Sequence, residues 1–340
     1  MVQVRVVGAV VLAIVLGVAG GCGGSDPPPE ATGTTAPGVS PSAPTATSAA
    51  PSAEPSGTAK MGRAPATATP TPKSGTSGST GGKPGASNTG VPAGTKLKVV
   101  TGDQTYATSN QVISGLDIRG YVRITGKNVT LRNSIVRGGA KRCNSSSVIS
   151  VSGSARIERT EIRPTNPNAC LDGVRGGNIT MVGVNIHGVV DGVKAGANVL
   201  IQDSYIHDLS FFASDPNQGG GETHNDAVQS FGDRNITLRH NTLSVGSQGN
   251  AAWQVTQDDG GTATNLRVEN NWLDGGGCTL NFAHKGGPTP MTGIHVVGNR
   301  FGSSGFDCPI LISTQTRLTT NSGNVFAANG KPIPAPAQHD

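Results

Sequence analysis

Aromatic side chains make up only 4% of this chain, and charged residues only 14%. A typical soluble domain is about 25% charged, so a compact α/β enzyme is a poor fit. No run of Lys and Arg marks a nucleic-acid groove, and the formal net charge is +5. No Cys-x-x-Cys occurs, which argues against a zinc site. Helical periodicity is missing downstream of residue 95. What the chain has in quantity is turn residues: 50 Gly and 22 Pro among 340. Such a composition suits a repetitive β fold with many turns, joined to a low-complexity segment.

Residues 1–21 read as a lipoprotein-type signal peptide. Arg5 supplies the positive start, and residues 6–18 form an apolar run too short and glycine-broken for a comfortable membrane span. Small residues then lead to Cys22 in a pattern that resembles a bacterial lipobox. The resemblance implies an acylated Cys22 and an exported protein held at the cell surface by its lipid anchor alone; the alternative is a secreted protein. Residues 22–94 are rich in Pro, Ser, Thr, Ala and Gly and nearly free of large apolar side chains. They cannot bury enough surface to offset ordering entropy, and a disordered tether is expected. Five Lys/Arg and three Asp/Glu precede residue 95, which leaves 21 − 18 = +3 for residues 95–340. That balance is compatible with an anionic partner. Four cysteines follow the linker: Cys143, Cys170, Cys278 and Cys308. An even count in an exported chain predicts two disulfides, and spacing by one repeat favours Cys143–Cys170 and Cys278–Cys308.

From residue 95 the chain repeats. Leu131-Arg-Asn-Ser-Ile-Val136, Ile157-Glu-Arg-Thr-Glu-Ile162, Met181-Val-Gly-Val-Asn-Ile186, Ile201-Gln-Asp-Ser-Tyr-Ile206, Leu238-Arg-His-Asn-Thr-Leu243, Val268-Glu-Asn-Asn-Trp-Leu273 and Val296-Val-Gly-Asn-Arg-Phe301 share apolar first and last columns. A further apolar column lies two residues upstream: Val129, Ala155, Ile179, Val199, Ile236, Leu266 and Ile294. The fourth column ends as Asn241, Asn271, Asn299 and Asn324, which suggests an asparagine ladder in one turn. Short β-type runs at such a period predict a solenoid of strands. The pattern resembles the right-handed parallel β-helix of the pectate-lyase-like superfamily, over residues 95–330. The expected fold is all-β, a single-stranded right-handed β-helix of about nine coils forming a domain at 95–340, with right-handed crossovers. A monomer is expected.

The segments before each line are the expected first sheet. Asp172-Gly-Val-Arg175, Asp191-Gly-Val-Lys194 and Asp226-Ala-Val-Gln229 fall on consecutive coils. With the valines inward, Arg175, Lys194 and Gln229 point outward. The aspartates enter at a corner, where alternation lapses. His224 lies two residues before Asp226, and the preceding insertion at 211–223 is expected over the cleft. The catalytic candidates are Asp191, Lys194, Asp226 and His224. Arg175, Gln229, Trp253 and Lys285 are candidate substrate contacts, as is a second stripe of Arg137, Arg163, His187 and His207.

The resemblance implies β-elimination on a uronate-containing polysaccharide, with Asp172, Asp191 and Asp226 holding Ca²⁺. A base and a charge-neutralising cation are what that chemistry requires. Polygalacturonase-like hydrolases carry an Asp-Gly-Ile-Asp stretch similar to Asp191-Gly-Val-Lys194. Here its second carboxylate is a lysine, and their Gly-His-Gly is absent. A glycoside hydrolase on the same cleft is the runner-up. A glycan-binding or adhesion module is the non-catalytic alternative; clustered Asp, Lys and His favour an enzyme.

Overall fold

The computed structural model describes residues 82–339 except 144–145, 258–260 and 283–288. The signal peptide, Cys22, most of the linker and Lys285 lie outside the described residues.

Alternating apolar side chains on short strands need a closed interior, and the chain supplies one by coiling. Each coil contributes a strand to a first, a second and a third sheet in turn, and every pairing between these strands is parallel. The sheets hold ten, nine and ten strands. This is a parallel β-helix, as expected, with about nine to ten coils. The end strands Lys98–Thr101 and Ala337–Gln338 lie outside the repeat motif.

The second-sheet register is the one read from the sequence. Leu131, Ile157, Met181, Ile201, Leu238, Val268 and Val296 pair in order and are fully buried. The third-sheet column, Ile118 to Phe301, is buried alongside. In the tight turn between these sheets, Asn241 donates to Asn271, Asn271 to Asn299 and Asn299 to Asn324, at 3.0, 3.0 and 2.9 Å. Each also donates to a backbone carbonyl. In earlier coils Ser134 and Ser204 hydroxyls accept the equivalent backbone N–H.

A second asparagine ladder runs along the corner before the second sheet. Asn110, Asn128, Asn178, Asn198, Asn235 and Asn265 all adopt positive φ. Asn198 donates to Asn178, Asn235 to Asn198 and Asn265 to Asn235. Asparagine tolerates this left-handed backbone better than other side chains do, which accounts for its recurrence here.

Both expected disulfides form, Cys143–Cys170 and Cys278–Cys308. Residues 84–94, which composition assigns to the linker, lie along the outside of the third sheet. Pro84 O accepts from Thr242 Oγ1 at 2.7 Å, and Gly90 N–H donates to Gly183 O at 2.8 Å. This strap passes from the strand Thr242–Ser244 back to the first strand, Lys98–Thr101.

Candidate functional site

The first sheet carries two outward columns separated by a backbone bulge that neighbouring coils share, with no extra residue in the pairing register. Ser147, Asp172, Asp191, Asp226, Ala251, Cys278 and Cys308 stand two residues before the inward Val/Trp/Leu column. Arg123, Ser150, Arg175, Lys194, Gln229, Gln254, Asn281 and Leu311 stand one residue after it. The residue between Asp and Val also points inward. A Cβ at Gly192 would meet Ile206 Cγ2 and Ala227 O, both at 2.5 Å, and one at Gly173 would meet Gly192 O at 2.4 Å. Two consecutive inward positions turn Asp back to the outer face, three residues from its Arg or Lys.

That bulge assembles the cluster. Lys194 Nζ lies 3.3 Å from Asp172 Oδ2 and 3.2 Å from Asp191 Oδ2. Arg175 Nη2 reaches Asp172 Oδ2 at 3.4 Å. Asp191 Oδ1 accepts the Asp226 backbone N–H at 2.9 Å, and Asp226 Oδ1 accepts from Asn250 Nδ2 at 2.9 Å. All three carboxylates are buried. Burial pushes Asp191 up to about 7, and the Asp172 charge adds to it. Burial likewise raises Asp172, against the pull of Lys194 and Arg175, and drives Asp226 well above the ordinary carboxylate range. Burial alone would lower Lys194, but the Asp191 and Asp172 carboxylates outweigh it and hold the ammonium above its usual value.

A cleft of about 530 Å³ opens over this cluster. Asp172, Asp191, Lys194, Arg175, Gln229 and His224 all line it. His224 is exposed at the rim. The 211–223 loop contributes Asp215, Asn217 and Gln218. Its base is tied by Thr223 Oγ1 to Phe212 N and Asn225 Oδ1, and by Asn225 Nδ2 to Ser210 O. Several buried polar atoms along the cleft lack a hydrogen-bond partner among the described residues: Gln229 Oε1, Thr256 Oγ1, Asn281 Oδ1 and Arg175 Nε. Asp226, whose Oδ2 also lacks one, is fully buried behind Asn250 and does not line the cleft. Buried polar atoms left open in a groove favour a ligand rich in hydroxyls or charge.

Calcium does not fit this arrangement. The Lys194 ammonium already sits between the two carboxylate oxygens that would bind the ion, and Asp191 Oδ1 and Asp226 Oδ1 are taken by N–H donors. No group of three metal-ligating side chains occurs among the described residues.

Two expectations about substrate contacts are corrected. Trp253 is 0% exposed: it pairs in register with Val228, packs edge-on to Phe282 at 5.8 Å and donates Nε1–H to Ser230 Oγ. Ala251-Ala-Trp-Gln254 is the counterpart of Asp226-Ala-Val-Gln229, and Ser147-Val-Ile-Ser150 that of Asp172-Gly-Val-Arg175. The aromatic in the cleft is Phe231, two residues beyond Gln229 on the same face. The basic stripe stands apart from the cleft and is internally paired. Arg137 bonds Asp117, Arg163 and His187 share Glu161, and His207 bonds Asp208 and Asn185 while stacking on Tyr205. Asn250, Gln254 and Asn281 were missed for want of register; once the columns are aligned, the last two fall directly in the Lys194 column.

No protein-family model matches the chain, and no curated protein matches it. It is similar to a solved structure, the Dettilon tailspike protein (gp208), with a TM-score of 0.32 and 12% identity. The match covers 72% of this chain and 61% of that one.

Proposed function

We propose that this chain is an exported polysaccharide-processing enzyme of pectate-lyase-like type, cleaving a uronate-containing chain by β-elimination. The observation that carries the reading is the Lys194 ammonium, held between Asp172 and Asp191 on the floor of an open cleft. In β-elimination a base removes the proton beside the uronate carboxylate, the C4–O4 bond breaks, a C4=C5 double bond forms and the leaving oxygen takes up a proton. Lys194 and Arg175 are suited to neutralise the carboxylate as charge develops on it. His224, exposed on the rim, is the group suited to accept the proton. Asp191 and Asp172 orient Lys194, and Asp226 orients Asn250. Phe231 offers an apolar face to a sugar ring. The carboxylates that suit calcium in related chemistry are here engaged by an ammonium, and turnover is proposed to be calcium-independent. The signal-like N-terminus and Cys22 support an exported lipoprotein anchored at the cell surface.

The alternative, a glycoside hydrolase, would use the raised carboxyls of Asp172 and Asp191, which line the cleft, as its acid and base. A single assay separates the readings. The full chain is incubated with a panel of uronate polysaccharides, with EDTA or with Ca²⁺, and both ultraviolet absorbance of unsaturated ends and new reducing ends are followed. A lyase yields both signals in EDTA. New reducing ends without absorbance indicate a hydrolase, and neither signal alongside tight binding indicates a glycan-binding module.

A further inference from the structure

We propose that the cleft continues into an anion socket formed by Arg123, Ser150, Arg175 and Arg142, which holds an acidic group of the bound polysaccharide about 10 Å from Lys194. This rests on the polysaccharide reading above and adds a second, separate point of charge recognition.

Arg123, Ser150 and Arg175 are consecutive in one outward column. Strands in such a sheet lie about 4.8 Å apart, so the two guanidiniums emerge about 10 Å from each other with only a serine hydroxyl between. A pocket of about 300 Å³ lies at this place, lined by these three residues, Ser147, Asp103 and Arg142. Arg175 lines both this pocket and the Lys194 cleft, which makes them one groove.

Arg142 is held in place from three sides. Its guanidinium lies 4.2 Å from the Tyr121 ring centroid, it pairs with Asp103, and the adjacent Cys143 is bridged to Cys170. Tyr121 fixes the same loop by donating its hydroxyl hydrogen to Ala140 O at 2.7 Å, while its backbone N–H bonds Asp103. A side chain immobilised beforehand loses little entropy on binding. Three guanidiniums line the pocket; Arg142 pairs with Asp103 and Arg175 with Asp172, which leaves Arg123 without an ion pair among the described residues. Arg175 spends Nη2 on Asp172, outside the pocket, and its buried Nε has no partner among the described residues. Planar guanidiniums recognise carboxylate and sulfate oxygens in pairs, which suits an acidic sugar substituent and leaves a neutral sugar nothing to match.

Calorimetric titration of the full chain tests this with three probes: an oligogalacturonate, its carboxyl-reduced counterpart, and a sulfated oligosaccharide without carboxylates. At least one acidic probe is expected to bind, more weakly as salt rises, and the one that binds identifies carboxylate or sulfate as the ligand group. Arg123→Gln, at an exposed position, should weaken that binding about ten-fold or more. Ser150→Glu places a carboxylate between the arginines and should abolish it, with an unchanged melting curve as the check on folding. Lys194→Ala should lose turnover yet keep acidic-probe binding, so failure of the lyase reading would be seen separately. The socket is refuted if neither acidic probe binds, if the reduced probe binds as tightly as the acid, or if Arg123→Gln and Ser150→Glu both keep wild-type affinity.

Discussion

Lys194 and Asp191 set the protonation of the cleft between them. Lys194→Ala removes the cation from beside two buried carboxylates, which then gain protons. Turnover should fall by about 10²–10³-fold, the scale for losing one preorganised charge contact, while the protein still melts cooperatively. Asp191 gives a cleaner pH test. Its folded value of about 7 lies above its ordinary 3.8, so the folded state binds the extra proton between those values. Its contribution to stability is fully present below about pH 4 and is lost as pH rises through 7. Melting temperatures of wild type and Asp191→Asn, compared from pH 4 to 8, should diverge, with the variant gaining on wild type as pH rises. Equal slopes would remove Asp191 as a raised carboxyl. At this scale the sequence told part of the story. Outward Arg175, Lys194 and Gln229 followed from the inward valines. The direction of the aspartates did not, because it depends on a bulge that only the close fit of Gly173 and Gly192 against neighbouring carbonyls reveals. Trp253 was misplaced for a related reason: it stands in register with Val228 in the inward column, while Ala251 takes the place of Asp226.

At the scale of a turn or a strand, the asparagine ladder is the most exacting element. Asn271 accepts the Asn241 backbone N–H with its carbonyl and donates to Leu238 O and Asn299 with its amide, all in a buried turn. Asn271→Ala leaves those partners unsatisfied and should cost about 1–3 kcal/mol for each buried group, read as a lowered urea midpoint. Asn265→Ala, in the exposed ladder, should cost less, since water can replace the lost partner. The bulge makes a second demand. Gly192→Ala forces a Cβ against Ala227 O and Ile206, and should lower both melting temperature and turnover because Asp191 moves with the strand. Wild-type turnover in that variant would show that the bulge does not position the site. The buried ladder was legible because asparagine recurs at a fixed column beside apolar residues. The exposed ladder was equally present, from Asn128 on, as Asn followed by Val, Ile or Leu, but its signal is backbone conformation, which hydrophobic patterning does not report.

For the whole molecule, stability is a sum over neighbouring coils, so cross-links between coils matter most where they close the longest stretch. The two disulfides span 27 and 30 residues. Removing Cys278–Cys308 by paired Ser substitution should cost about 2–5 kcal/mol, visible in the denaturant midpoint. The overall architecture was readable from sequence because a solenoid's contacts are between equivalent positions, and repetition writes them out in one dimension. The strap at 84–94 was not, because Pro, Ser and Gly composition says only that a segment cannot form its own core, not that it cannot lie on another. That strap has a mechanical consequence. Any tension on the chain upstream of Lys83 enters at Thr242, on the seventh of the ten strands of its sheet, rather than at the terminal coil. The load must first peel the strap away contact by contact, past Gly183 and down to Gly115, before it can pull on Lys98–Thr101. Under such a pull residues 84–94 would act as a strain relief, giving way before the first coil does.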